Sequence, residues 1–275
     1  MRSPLPATRL RRGIAALALC TAVVTPAFAQ QRPEPLQALE ARGLTIVGTL
    51  PSQGGLTAYA GYTGRHPVAL YVTPDGKHVV AGTLFDAAGN DLTHAALEKA
   101  VAGPMSDALW HRLAASTWIA DGRSGAARVV YVFTDPNCPY CNKLWSDARP
   151  WVTAGKVQLR HVIVGILTPT SAGKAAALLA SNDPSATLAA YESRNATATA
   201  RALAAGHPRP LDDHGLQPPA TIAAAQQQEL AANEHLMASL GLEATPGIVW
   251  RDAEGKLQMR EGEPGGSLDA ILGPR

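Results

Sequence analysis

The sequence predicts an α/β chain, α+β overall, with a small β-rich unit ahead of a larger domain in which helices alternate with strands. Three observations predict it. Residues 128–133 form a continuous apolar run of the kind that suits a buried central strand. A helical stretch and a second apolar run at 157–166 follow, which makes a β-α-β unit. Runs at 247–251 and 257–260, separated by Asp252-Ala253-Glu254-Gly255, close the chain as a late hairpin.

The elements follow in order. Arg2, Arg9, Arg11 and Arg12 precede an apolar run at 14–24, and Ala27-Phe28-Ala29 supplies small residues for cleavage. Residues 1–29 therefore read as a secretory signal cut after Ala29. The apolar run falls short of the ~20 residues of a membrane span. Leu19 ahead of Cys20 fits poorly with a lipoprotein anchor, and the residues flanking Arg11-Arg12 fit poorly with twin-arginine export. Removing the signal leaves 246 residues with 20 basic and 22 acidic side chains, a net charge of −2. No long basic run remains, so nucleic acid is rejected as a partner.

Residues 30–90 read as the β-rich unit. It has a short helix at 36–42 stopped by Gly43, then strands at 44–50, 56–62, 68–73 and 77–85. Pro74-Asp75-Gly76 is its turn, since Pro presets φ and Gly accepts positive φ. Residues 91–120 are a helical linker. Leu92, Ala96, Leu97 and Val101 share a face that Met105, Leu109 and Leu113 continue, and Gly103-Pro104 predicts a kink or two abutting helices. Residues 121–275 are the second domain. It has a helix from Cys138 to about Val152, Ala-rich helices at 171–180 and 185–193, and a polar, Pro-containing stretch at 194–218. A helix at 221–240 capped by Gly241 and a last short helix at 267–272 complete it.

The chemistry lies in Cys138-Pro139-Tyr140-Cys141, placed where strand turns into helix. Without Cys20, these are the only two cysteines. A disulfide between them closes so small a loop that it restrains little of the unfolded chain, so redox work explains the pair better than stapling. Helix-start N–H groups and the positive dipole end favour a thiolate at Cys138. Cys138 is expected to lie open to the sulfur atoms of other proteins, and Cys141, one turn deeper, to be shielded and to resolve. Pro139 suits an early helical position. Zinc would need four ligands, and no second pair exists, so no metal or cofactor is expected. Thr245-Pro246 lies between a helix and an apolar strand, where a cis bond would bring backbone near the sulfurs, although a trans turn is the default for X-Pro. Trp110, Trp118, Trp145 and Trp151 read as packing residues, the histidines as surface or capping residues, and Asp135 as a turn-former or a modulator of the sulfurs.

The run Val130-Tyr131-Val132-Phe133-Thr134-Asp135-Pro136-Asn137-Cys138-Pro139-Tyr140-Cys141 resembles the periplasmic DsbC/DsbG thiol–disulfide isomerase family. So do Trp145, Ala148-Arg149-Pro150-Trp151, the segments 70–78 and 155–160, and Thr245-Pro246. The resemblance implies a thioredoxin-like catalytic domain with a helical insert, behind a cystatin-like dimerisation domain and a linker helix, in a V-shaped homodimer. It puts Cys138 at the nucleophile, Cys141 at the resolving position and Pro246 at the cis-proline, with Pro139, Tyr140 and Thr245 supporting the site. Pro139 points to the DsbG branch, associated with rescue of sulfenylated cysteines as well as isomerisation. Cysteine-containing exported proteins are the implied substrates, the membrane protein DsbD the implied reductant and the periplasm the implied location. A DsbA-type oxidase and a non-enzymatic holdase chaperone are the competing readings. The stretch at 194–218 departs from the family by its length.

Overall fold

The computed structural model describes residues 32–266 and 268–275. The signal expected up to Ala29, and Ser267, lie outside the described residues. No helix among the described residues is long and apolar enough to cross a membrane.

The first unit opens with α1 (Glu34–Glu40), which starts behind Pro33 and gives way to Gly43 at φ +97°. Strands β1 (Thr45–Leu50), β2 (Thr57–Thr63), β3 (His66–Val72) and β4 (Val79–Ala81) form an antiparallel meander in that order. Close pairing of β1 with β2 requires Gly61, where a Cβ would sit 2.8 Å from the Thr45 carbonyl oxygen. The fourth strand is shorter than the expected 77–85, and only the Phe85–Asp91 bridge continues pairing beyond it.

Helix α2 (His94–Ala115) is continuous, not the kinked or paired helix expected at Gly103-Pro104. Both residues are exposed, so the proline ring displaces nothing in either core. Leu97 and Val101 pack with Ala58, Ala60 and Tyr71 of the first sheet. Leu109 and Leu113 pack with Tyr131 and Phe133 of the second, so one helix serves both cores.

The second sheet contains β5 (Ile119–Asp121), β6 (Arg128–Thr134), β7 (Val157–Ile163), β8 (Gly247–Arg251) and β9 (Leu257–Glu261), in the order β5-β7-β6-β8-β9. Only β6 and β7 run parallel. Ile119 pairs with His161, so residues 119–121 form an edge strand of the second sheet. Three residues are too few for a period-2 signal, which is why the sequence hid β5. In β6, Val130 and Val132 face Leu144, Trp151 and Ile248, while Tyr131 and Phe133 face Leu236 and Leu240. Burial on both faces explains the unbroken apolar run.

Between strands lie α3 (Pro139–Asp147), α4 (Arg149–Thr153), α5 (Ser171–Leu179), α6 (Pro184–Ala204) and α7 (Ala224–Ser239), and α8 (Asp269–Leu272) ends the chain. The helix expected to run on to Val152 is divided at Ala148, with Pro150 starting α4. Helix α6 runs eleven residues past the expected end and absorbs the first part of the 194–218 stretch. It is capped by Asp183, whose carboxylate accepts from the Ala186 N–H at 2.9 Å. Its buried face carries Leu188 and Tyr191 but also Glu192, Asn195 and Thr199, so apolar periodicity could not trace it.

Candidate active site

Strand β6 delivers the chain at Asp135, and every residue of the turn that follows is held. The Asp135 carboxylate accepts from Asn137 N–H at 2.8 Å and Ser171 Oγ–H at 2.8 Å through Oδ1. Its Oδ2 accepts from the Ile166 and Leu167 N–H groups at 2.7 and 2.9 Å. Both readings of Asp135 hold: these bonds make it a turn-former, and its charge opposes ionisation of Cys138. Asn137 donates to Thr168 and Thr170 hydroxyls at 2.7 and 2.8 Å, and its carbonyl accepts from Lys174 Nζ at 2.8 Å. Lys174 is buried, with further bonds to the Leu211 carbonyl at 2.6 Å and the Asp213 carboxylate at 2.8 Å. The Tyr191 hydroxyl donates to the Pro136 carbonyl at 2.6 Å. The helical insert thus grips residues 135–137 immediately ahead of the first cysteine.

Cys138 is the N-cap of α3, with extended backbone at φ −81° and ψ 110°, and Pro139 follows in the first turn. The Cys138 sulfur takes the N-cap role, accepting from the Cys141 N–H at 3.1 Å. The Thr245–Pro246 peptide is cis, and the Thr245 carbonyl oxygen lies 3.4 Å from that sulfur, close enough to accept from its thiol form. All six singled-out residues therefore sit at one place. Both thiols are free.

The two sulfurs differ electrostatically. Hydrogen bonding from the Cys141 thiol lowers the Cys138 pKa most, and the Thr245 side chain and Cys141 N–H lower it further against burial and the Asp135 charge. The Thr245 hydroxyl is buried and makes no hydrogen bond among the described residues. Cys141 is pushed well above its ordinary value, first by burial, then by Cys138 itself, with the Glu192 charge adding to the rise. Proton affinity separates in the direction that nucleophile and resolving thiol require.

One expectation needs correction. The first sulfur was expected to lie open, yet Cys138 is only 1% exposed. The Thr245 carbonyl and the start of α3 close over it, while Tyr140 beside it is 38% exposed. His161 is a second correction. It is neither surface nor cap but buried, with Nδ1 2.9 Å from the Thr134 hydroxyl. The tryptophans do pack: Trp110 meets Tyr131 edge-on at 5.0 Å, and the Trp151 indole N–H donates to the Gly273 carbonyl at 2.7 Å.

Residues 29–94 match the N-terminal domain of disulfide bond isomerase proteins, and residues 119–267 match the thioredoxin-like domain. The chain is 43% identical over 271 residues to thiol:disulfide interchange protein DsbG of Pseudomonas aeruginosa, covering 97% of this chain and all of that protein. Against the protein of that name from Escherichia coli the identity is 38% over 258 residues, covering 94% and 96%. The chain belongs to the DsbC/DsbG family. Like its DsbG relatives it is a thiol–disulfide interchange enzyme, an oxidoreductase with a thioredoxin-like fold behind an isomerase-type N-terminal domain.

Sequence reading missed several residues that shape this DsbG-type site. Lys174 secures the turn, and Glu192 sits buried beneath α3, accepting from Asn142 Nδ2 at 2.6 Å. Burial raises the Glu192 pKa to about 7 despite that bond. Neither residue belongs to a motif. The one available signal was a charged residue inside an otherwise Ala-rich helical run.

Proposed function

We propose that Cys138 is the attacking thiolate and Cys141 the resolving thiol of a periplasmic disulfide isomerase and reductase, acting on cysteine-containing exported proteins. The observation that carries this reading is the Cys138 sulfur at the α3 N-cap, 3.1 Å from the Cys141 N–H, with the two thiols shifted in opposite directions. The Cys138 thiolate turns out from beneath the Thr245 carbonyl and attacks one sulfur of a substrate disulfide. A mixed disulfide forms and a substrate thiolate leaves. If that thiolate, or another in the substrate, attacks the mixed disulfide, a rearranged substrate leaves with no net change in electrons. If Cys141 gives up its proton and attacks Cys138, the reduced substrate leaves and two electrons have passed from the enzyme. The resulting Cys138–Cys141 disulfide then needs a dithiol donor, for which a DsbD-like membrane reductant is the fitting class. With a sulfenylated cysteine the same attack forms the mixed disulfide and expels hydroxide, which leaves as water after protonation.

Pro139, Tyr140, Thr245 and Pro246 support this chemistry by fixing the helix start and the loop that faces the sulfur. The N-terminal unit, residues 30–90, serves as the dimerisation domain and α2 as the linker to the catalytic domain. Export follows cleavage after Ala29. Among competing readings, a DsbA-type oxidase would hold the pair oxidised, and a holdase would need neither thiol.

Rapid acid quenching of cells followed by thiol alkylation tests the direction of flow. The pair is expected to be mostly reduced; a fully oxidised pair would reverse the assignment. Cys138→Ala is expected to abolish exchange with disulfide substrates, and turnover by that variant would overturn the choice of nucleophile. Cys141→Ala is expected to accumulate mixed disulfides that identify the natural substrates.

A further inference from the structure

The loop that faces the Cys138 sulfur is tied down at both ends and, between them, by one side chain. At its start the Leu242 N–H donates to the Met237 carbonyl at 3.2 Å, closing α7. At its end the Pro246 carbonyl accepts from the Gly262 N–H at 2.9 Å, and Gly247 enters β8 opposite Glu261 of β9. The Glu261 side chain turns back across this hairpin, where Gly247 puts no side chain in its way. Its Oε1 accepts from two successive backbone N–H groups, those of Glu243 and Ala244, the latter at 2.9 Å. Neighbouring amides that converge on one oxygen form a small anion-binding concavity. Among the described residues, those two amides have no other partner.

The residue that follows them is Thr245. Its carbonyl oxygen lies 3.4 Å from the Cys138 sulfur, and its hydroxyl is buried without a hydrogen bond among the described residues. The two groups suit opposite states of the sulfur. A thiol donates to the carbonyl, whereas a thiolate can only accept, and the hydroxyl is the Thr245 group able to donate. The Thr245 side chain, like Cys141, helps to lower the Cys138 pKa, and the Asp135 charge opposes them. Hydrogen bonds weaken steeply with misalignment, so the place of this loop decides how well the thiolate is held. Asp135 and Cys141 act on Cys138 directly, while Glu261, an exposed residue, reaches it through the loop.

We propose that Glu261 is a positioning residue for thiol exchange, its carboxylate clasping the Glu243 and Ala244 amides so that Thr245 stays seated against Cys138. The proposal rests on Cys138 as the attacking sulfur. Its sign separates it from a plain charge effect. Taking a negative charge away from the neighbourhood makes a thiolate easier to form, whereas opening the clasp makes it harder.

Two variants at this position separate charge from reach. Glu261→Asp keeps the charge but is one methylene short, and Glu261→Gln keeps the length and an acceptor oxygen without the charge. Each reduced full-length protein is reacted with a nitrobenzoate disulfide across a pH series. Exchange by Glu261→Asp is expected to be about threefold slower on the acid limb, the equivalent of weakening one hydrogen bond, and to meet wild type on the alkaline plateau. Glu261→Gln is expected to recover most of the wild-type profile. An unmoved Glu261→Asp profile, an equal slowing at every pH, or faster acid exchange by Glu261→Gln alone would overturn the clasp. Deuterium exchange of the wild-type protein decides the matter should a variant fold poorly. The Glu243 and Ala244 amides are expected to be protected although both residues are exposed, and exchange at open-chain rates would overturn the proposal. Reaction of Cys138→Ala with the same disulfide at the wild-type rate would instead remove Cys138 as the attacking sulfur, and the role of Glu261 with it.

Discussion

Glu192→Gln offers a direct measurement of what a buried carboxylate costs this site. Glu192 is buried beneath α3, and burial lifts its pKa from the ordinary 4.5 to about 7. At about 1.4 kcal/mol per pH unit, that displacement amounts to about 3 kcal/mol. The sign follows from proton counting. Between 4.5 and about 7 the folded protein holds a proton that the unfolded chain has lost, so stability falls as pH rises. The contribution is fully present below 4.5 and gone above about 7. Glutamine copies the neutral form at every pH and keeps an oxygen for Asn142 Nδ2. The variant should therefore match wild type near pH 4 and exceed it by about 3 kcal/mol near pH 8. Denaturant midpoints at the two pH values, at unchanged slope and with the reduced protein, measure the difference. Equal gaps at both pH values, or a larger gap in acid, would show that Glu192 does not titrate in this window. The same variant removes one of the charges that raise Cys141, so the resolving step should reach its full rate at a lower pH.

Three further outcomes follow from the same geometry. Ultraviolet thiolate titration should show one cysteine ionising below the ordinary thiol range and the other far above it. In Cys141→Ala the low titration should move upward, because the Cys141 thiol contributes most to the lowering; an unmoved curve would assign the effect to the helix start alone. Lys174→Met bares the Asn137 and Leu211 oxygens, at about 1–3 kcal/mol each, and recovers part of that by no longer burying an ammonium. A net loss of about 2–3 kcal/mol is expected by chemical unfolding, together with slower exchange; unchanged values would mean that the insert does not hold the turn. Asp121 marks the acid limit: burial opposes its ionisation, but His161 and Arg149 more than offset that and hold it at about 2. Its contribution of about 2 kcal/mol is present above 3.8 and disappears as pH falls through about 2, and in Arg149→Met this acid limb should largely vanish from the stability profile.

The parts that could be read from sequence share a cause. The run 128–133 and the Cys-x-x-Cys turn were visible because burial on both faces and helix-start chemistry each demand particular residue types. Pro246 was visible only through family resemblance, since an X-Pro pair carries no sign of its isomer. Helix α6 past Ser193, strand β5 and the supporting network were hidden for physical reasons. The buried stripe of α6 is made of Glu192, Asn195 and Thr199, which hydrophobic periodicity counts as solvent-facing. Lys174 reaches Asn137 across 37 residues of sequence, and no local pattern records such a partner. The covering of Cys138 depends on a carbonyl 107 residues away, so it too had to wait for the fold.

These hidden contacts bear directly on the sulfurs. The β6–α3 segment supplies a cysteine at a helix start, which any thioredoxin-like chain can do, and within residues 135–138 the turn is held by two short bonds, from Asn137 and Cys138 N–H to Asp135. Every other restraint on residues 135–137 comes from β7's exit or the insert: Ile166, Leu167, Thr168, Thr170, Ser171, Lys174 and Tyr191. On the far side of α3, Glu192 of that insert grips Asn142 and adds to the rise in the Cys141 pKa. The segment between β7 and β8 therefore acts on both thiols, through position at Cys138 and through charge at Cys141.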